Sequence, residues 1–242
     1  MHQKVVHPGV LKLLGELANR TVLDVACGQG VLCRLLHQKG ATVVGIDAAG
    51  PLINAAEKHG PAEIRYQVID AQALDKLPQS AIEPQTFDLA TCILAIQNIA
   101  MIRPVFAGIA QRLKPGGRVV VVMMHPCFRN PGESHWGWDA EKNVQFRRVD
   151  RYLLPRKHPI VTHPGKNDGK YTWSFHRPIG DYIKAMSGAG LLIDTMQEWT
   201  SHKKSEPGPR AHAENTAREE IPMFLALAAT KIAVPKVTDP ST

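Results

Sequence analysis

The stretch Val22-Leu-Asp-Val-Ala-Cys-Gly-Gln-Gly30 sets a carboxylate, Asp24, close before two glycines spaced one residue apart. Glycines so placed after an apolar run let the backbone pass close to a ligand and leave helix N–H groups pointing at it. Such a turn can cradle phosphate, hold a dinucleotide, hold some other cofactor, or be only a tight turn with an ion-paired acid. A phosphate loop needs a Lys-Ser/Thr pair that does not follow here. A dinucleotide fingerprint needs a third small residue where this chain has Cys33. A carboxylate inside the turn is also a poor neighbour for pyrophosphate and a good one for a ligand ammonium group. Two more acids close apolar runs, Asp47 in VVGIDAAG and Asp70 in YQVIDAQAL. Asp47 stands about where a strand-end carboxylate reaches ribose hydroxyls. Three acids ending three successive strands would lie together, because ligands of open α/β sheets bind outside the strands' carboxyl ends.

The elements that must position these groups follow from hydrophobic period. Val22–Ala26, Thr42–Ile46, Phe87–Cys92 and Arg118–Met124 are short continuous apolar runs, and Arg65–Ile69 alternates. Between them Val31–Lys39, Leu52–His59 and Val105–Leu113 have helical spacing. Strands separated by helices predict a parallel sheet, and continuous apolar strands predict burial on both faces. Lys114-Pro-Gly-Gly117 predicts a turn before the strand Arg118–Met124. Residues 125–176 have no long period, and a structureless loop of that length is uncommon outside lids and binding segments. Arg177–Gly190 reads as a helix, Leu191–Thr195 as a strand able to continue to Trp199, and Pro222–Ile232 as a final strand. Residues 200–219 are polar, and 233–242 read as a tail.

Asp24-x-Ala26-x-Gly28-x-Gly30, Asp47, Asp70-Ala71, Phe87-Asp88-Leu89 and Leu113-Lys-Pro-Gly-Gly117, in that order, resemble the class I methyltransferases that use S-adenosylmethionine (SAM). The resemblance covers residues 7–124 closely and 177–232 more loosely. It implies a doubly wound, Rossmann-like seven-stranded sheet, mostly parallel, with an antiparallel last strand and a lid inserted after the fifth. It also implies that Asp24, Ala26, Cys27, Gly28 and Gly30 wrap the methionine part of SAM, with Asp24 acting on the amino group directly or through water. Asp47, with Ala48 beside it, would take the ribose hydroxyls. Leu52 would pack near the adenine, Asp70 would accept from its amine, and the backbone of Ala71 and Gln72 would reach the ring. Ile93 would line the methionine side. Many relatives have glycine where this chain has Ala26.

Methyl transfer from a sulfonium is an in-line displacement that needs alignment and, for some acceptors, a base. Gln97 and Asn98, after the fourth strand, suit orientation of an acceptor, and Asn98 equally suits a helix N-cap. His125 and His176 are the two candidates for a catalytic base. The alternatives are a histidine bonded in the turn before Pro126 and a histidine capping the next helix in solvent. Phe128, Arg129, Trp136, Trp173 and Arg177 complete the expected acceptor side. Residues 129–177 hold ten Lys/Arg against five Asp/Glu, interleaved with aromatics. That texture suits a clamp on a flat, anionic or aromatic small molecule, a channel for RNA, or a satellite core under a basic face. No RNA-binding module is visible and the cations are dispersed among acids, so a lid over a small molecule is the preferred reading.

The 242 residues, 44% hydrophobic with net charge +7, suit one soluble α/β domain spanning 1–242. Its expected parts are a SAM-binding half over 1–124, the insertion over 125–176, and a C-terminal helix and strands over 177–232. No apolar run approaches the ~20 residues of a membrane helix. Scattered cysteines without a CxxC pair, and an N-terminus without an apolar leader, predict free thiols in a reducing cytoplasm. No metal site is expected, and the protein is expected to be a monomer or homodimer. His7-Pro8 with Val10, Leu11 and Leu14 reads as the end of a helix that closes over the site in relatives. O-methylation of a small molecule is the leading expectation. Its rivals are an RNA methyltransferase, a SAM-binding protein without turnover, and a nucleotide-dependent dehydrogenase disfavoured by the missing third glycine.

Overall fold

Continuous apolar strands have two faces to bury, and the chain covers both with helices. A computed structural model describes residues 2–161 and 171–232. The expected tail over 233–242 and residues 162–170 of the insertion lie outside them. After a π-helical turn, the chain runs through α1 (His7–Leu14), β1 (Thr21–Val25), α2 (Val31–Gln38), β2 (Thr42–Asp47), α3 (Gly50–His59) and β3 (Arg65–Val68). It continues through β4 (Phe87–Ile93), α4 (Ile102–Arg112) and β5 (Leu113–Met124). The insertion supplies β6 (Ser134–Asp139), β7 (Val144–Val149), β8 (Arg156–Val161) and β9 (Tyr171–His176). The last elements are α5 (Ile179–Gly188), β10 (Leu191–Trp199), α6 (Ala211–Glu220) and β11 (Phe224–Lys231).

Seven strands form one sheet in the order β10-β11-β5-β4-β1-β2-β3. β11 runs antiparallel to β5 and β10, and the other pairings are parallel. Strand order reverses between β1 and β4, which places the crevice of an open α/β sheet over the carboxyl ends of these two strands. β5 shows why its run is apolar throughout. Val119, Val121 and Met123 pack with α4 and α5 on one face, while Val120 and Val122 pack with α1 and α2 on the other. The expected Lys114–Gly117 turn is realised as an irregular start to β5, with a register shift against β4 and Gly116 at φ 75°.

Three stretches take a form that the sequence did not specify. In the insertion, β6 pairs with β7 and β8 with β9 as two antiparallel hairpins. Apart from Ser174 and His176 their described residues are half-buried or exposed, and Val144 and Phe146 of β7 fall on its exposed positions, so no apolar alternation marks them. The polar stretch 200–219 contains α6, whose single fully buried side chain, Ala217, leaves almost no apolar stripe to read. α1 lays Val10, Leu13 and Leu14 on the sheet face, and Trp199 covers Gly9 so closely that a Cβ there would stand 2.4 Å from the indole. α1 is thus part of the core packing. No described helix is long and apolar enough to cross a membrane.

Arg112 is 1% exposed at the end of α4. Its guanidinium donates to the carbonyls of Gln79 at 2.5 Å, Pro78 at 2.7 Å and Leu77 at 3.2 Å, and so fastens the β3–β4 connection to α4. Arg112→Met leaves three carbonyls short of a charged donor. It is expected to lower the unfolding free energy by about 3 kcal/mol, read by urea denaturation.

Candidate active site

The glycine turn is built by backbone conformations that side chains disfavour. Ala26, Gly28 and Gly30 have φ of 57°, 56° and 69°. A Cβ on Gly28 would meet nothing within 4 Å, so the loop is open above it. A Cβ on Gly30 would stand 2.3 Å from the Tyr66 hydroxyl, so the loop is closed beneath it. Gly45 in β2 makes the same allowance from below: a Cβ there would crowd Tyr66, Cys27 and Cys33 at 2.8–2.9 Å. The result is a shallow backbone cradle resting on one buried ring.

Asp47 holds that cradle to the sheet. Its Oδ2 accepts from Gly28 N–H at 2.9 Å and its Oδ1 from Ala49 N–H at 2.8 Å. Each carboxylate oxygen keeps a second lone pair for a ligand hydroxyl. Ala48 is exposed beside it, and Leu52 is half-buried in the first turn of α3. Asp70 is exposed just past β3 and caps a 3₁₀ turn by accepting from Gln72 N–H at 2.9 Å; Ala71 beneath it is buried. Gln72 in turn accepts from Met101 N–H at 2.9 Å, joining the β3 side of the crevice to the segment after β4.

Asp24 does not lie inside the turn, as the sequence suggested. It is the fourth residue of β1 and only 2% exposed. Thr91 in β4 donates to Oδ1 at 2.7 Å and the Cys33 thiol to Oδ2 at 3.2 Å. Burial pushes its pKa up to about 6, against the pull of these two donors, and the charge of Asp47 adds to the rise. Contact with Cys27, together with burial, keeps the Cys33 thiol protonated as a donor. Asp24 therefore backs the cradle from beneath as a buried anion.

Across the crevice, Ile93 is the last residue of β4, and Leu94 follows with φ 55°. Ala26 and Leu94 are left-handed residues with side chains, one after each strand flanking the crevice. Such strain concentrates at ligand sites. Gln97 donates through Nε2 to the Leu94 carbonyl at 2.8 Å, while its buried Oε1 has no partner among the described residues. Asn98 is exposed and does not cap the following helix; Met101 takes that position without a side-chain bond.

The expected acceptor residues separate into two groups. β9 packs beside Gln97 and Asn98 and brings His176 and Arg177 with it. His176 is 5% exposed and is not a solvent-facing cap; its Nε2–H donates to the Tyr152 carbonyl at 2.7 Å, which leaves Nδ1 as the nitrogen able to take a proton. Arg177 binds the carbonyls of Ile99 at 2.8 Å and Ala100 at 2.6 Å. Trp173 is covered by the Lys157 ammonium at 3.7 Å. The second group follows β5. His125 is 1% exposed, donates from Nε2 to Glu198 Oε1 at 2.7 Å and accepts at Nδ1 from Cys127 N–H at 3.2 Å. Neither nitrogen is free, so His125 anchors the turn before Pro126 and is corrected as a base. Phe128 packs against its ring at 4.8 Å, and Arg129 lies over Trp136 at 5.3 Å. Burial lowers the pKa of both histidines, so both favour the neutral form.

The comparisons with known proteins agree with this architecture. A family model described as a methyltransferase domain matches residues 23–121. A SAM-dependent methyltransferase from Mesorhizobium loti superposes with a TM-score of 0.70 at 29% identity, covering 92% of this chain and 96% of that one. Residues 23–121 thus match a methyltransferase domain, and the fold is that of SAM-dependent methyltransferases. Two ubiquinone biosynthesis O-methyltransferases are similar in sequence: that of Leptothrix cholodnii is 33% identical over 122 residues, 49% of this chain and 48% of that one. That of Paracidovorax citrulli is 36% identical over 110 residues, 44% of each. The chain thus spans about half the length of the curated relatives it matches. Of the residues around the methyltransferase cradle, Thr91, Cys33, Tyr66 and Leu94 are absent from the sequence-based site. Each acts through a neighbour distant in the chain or through backbone angle, which residue type does not announce.

Two outcomes follow. Ala26→Gly removes a Cβ from a left-handed residue and is expected to raise the unfolding free energy by about 0.5–1 kcal/mol. Asp24 binds its proton more tightly folded than unfolded, so its contribution is complete below its unfolded value of 3.8 and is lost as pH rises through about 6. Asp24→Asn is expected to flatten a loss of about 3 kcal/mol at most over that window, read by denaturant melts at stepped pH.

Proposed function

We propose that this chain transfers a methyl group from SAM to an oxygen of a small-molecule acceptor by in-line displacement. The observation that carries the reading is the Asp47 carboxylate at the end of β2, which holds the turn after β1, beside the strand-order reversal, through Gly28 N–H and keeps lone pairs to spare. The cradle fits the cofactor: open backbone above Gly28 for the methionine part, a ribose-reaching acid at Asp47, and Leu52, Asp70, Ala71 and Gln72 along the adenine side. SAM supplies an electrophilic methyl. Asp24, ionised at neutral pH beneath the cradle, favours its cationic charge, with Ala26, Cys27, Gly30 and Ile93 lining the same end.

On the acceptor side, Gln97, whose Oε1 has no partner among the described residues, would receive an acceptor hydroxyl and aim its oxygen. His176, through Nδ1, is the group able to remove the proton. Oxygen as the acceptor atom is supported by the O-methyltransferases matched over about half of this chain, and by Gln97 offering an acceptor where an O–H donates. The insertion and C-terminal elements act in this reading as substrate cover within one domain.

Binding is tested by calorimetry and thermal shift with SAM and its demethylated product. The wild type is expected to bind, and Asp47→Ala to weaken binding by about tenfold or more, or 1.4 kcal/mol; a folded wild type that gives no heat with either ligand refutes the cofactor assignment. Turnover of labelled SAM over a panel of phenols, carboxylates and amines tests the acceptor. His176→Ala is expected to lower kcat by about 100-fold with KM for SAM unchanged. His125→Gln should change stability far more than the pH profile of turnover.

A further inference from the structure

The insertion's aromatics are mostly covered by the chain's own cations: Lys157 on Trp173, Arg210 on Trp138, and both Arg129 and Arg147 on Trp136. Arg147 also donates to the Phe128 carbonyl at 2.7 Å and to Ser134. Arg129 differs. Its guanidinium has no hydrogen bond and no carboxylate partner among the described residues, and its Nε is buried unpaired. Burial and the nearby charge of Arg147 push its pKa down to about 10. A guanidinium held half-buried beside a second one calls for an anion, since low dielectric magnifies both the repulsion and the missing attraction.

Arg129 lines a cavity of about 630 Å³ at the carboxyl edge of the sheet, beyond β5 and β10, with Trp136, Lys203, Lys204 and Arg218. That volume lies in the range of small-molecule sites, roughly 300–1,000 Å³. Glu206 and Glu214 are the acids on its wall. Glu214 is already engaged by Ser205 and by Arg218 at 3.9 Å, so it leaves the charge of Arg129 uncompensated. We propose that this pocket binds the oxyanion group, carboxylate or phosphate, of a small molecule through Arg129, whose guanidinium lies over Trp136, with Lys203 and Lys204 at the mouth. A planar guanidinium fork matches either oxyanion bidentately. Taken as the anchor for an anionic acceptor, the pocket deepens the methyl-transfer reading and rests on it; oxyanion binding itself does not.

The full chain is titrated with 4-hydroxybenzoate for the carboxylate arm and phenyl phosphate for the phosphate arm, by calorimetry and tryptophan fluorescence. At least one probe is expected to bind one-to-one, and the tighter one names the oxyanion. Arg129→Gln should weaken it by about tenfold or more, the Lys203→Gln/Lys204→Gln pair by about threefold, and Arg148→Gln, an exposed arginine already paired with Asp150, not at all. A thermal shift with the demethylated cofactor product confirms that each variant is folded. Should Arg129→Gln fail to fold, the exposed lysine pair decides. The inference is overturned if neither probe binds, if the variants bind like wild type, or if Arg129→Gln weakens only a steeply salt-dependent binding of bulk tRNA. Probe binding without a cofactor shift in wild type keeps the pocket and refutes the cofactor reading; a cofactor shift without probe binding does the reverse.

Discussion

The site depends on one carboxylate shared between two backbone donors. Asp47 ends β2, and by accepting from Gly28 and Ala49 it ties the turn after β1 to the turn after β2. A loop with three left-handed residues has little conformational preference for its own shape, so an outside restraint must hold it. The restraint works because β1 and β2 are parallel and in register, Val25 opposite Ile46, which brings the two strand ends level. Everything that could cradle a cofactor here, the open backbone above Gly28 and the closed side over Tyr66, follows from that tie.

Beneath the cradle lies a second constraint of opposite cost. Asp24 is a carboxylate in the apolar interior, and two short donors, Thr91 and Cys33, do not fully offset its desolvation. A buried anion that raises the cost of folding is a reasonable feature only where a cation arrives above it. The sulfonium and ammonium of SAM are such a cation. The fold's stability and the site's electrostatics are thus coupled through one side chain.

The insertion shows how similar composition leads to different uses. Alternating aromatics and cations in residues 129–177 read as a clamp, a channel or a satellite core, and in the structure several of the cations lie over indoles of the same chain. Arg129 alone of the stacked arginines on Trp136 lacks a polar partner among the described residues. The distinction rests on a missing carbonyl or carboxylate, which no count of charged residues reveals.

Sequence by itself determined the sheet, its parallel core and the cofactor edge, because these rest on short-range patterns: continuous apolar runs, closely spaced glycines, and acids at strand ends. It also marked Asp47 and Gly28, nineteen residues apart, as members of one site. Only the tertiary structure decided which charged groups are free. His125 and His176 have the same residue type and a similar place at a strand end, yet Glu198 and the Cys127 N–H occupy both nitrogens of one, while the Tyr152 carbonyl occupies a single nitrogen of the other. Glu198 stands 73 residues from His125 in the chain. Hydrogen bonds of that reach are set by how β10 and β11 fold back beside β5, and a pattern read along the chain carries no information about them.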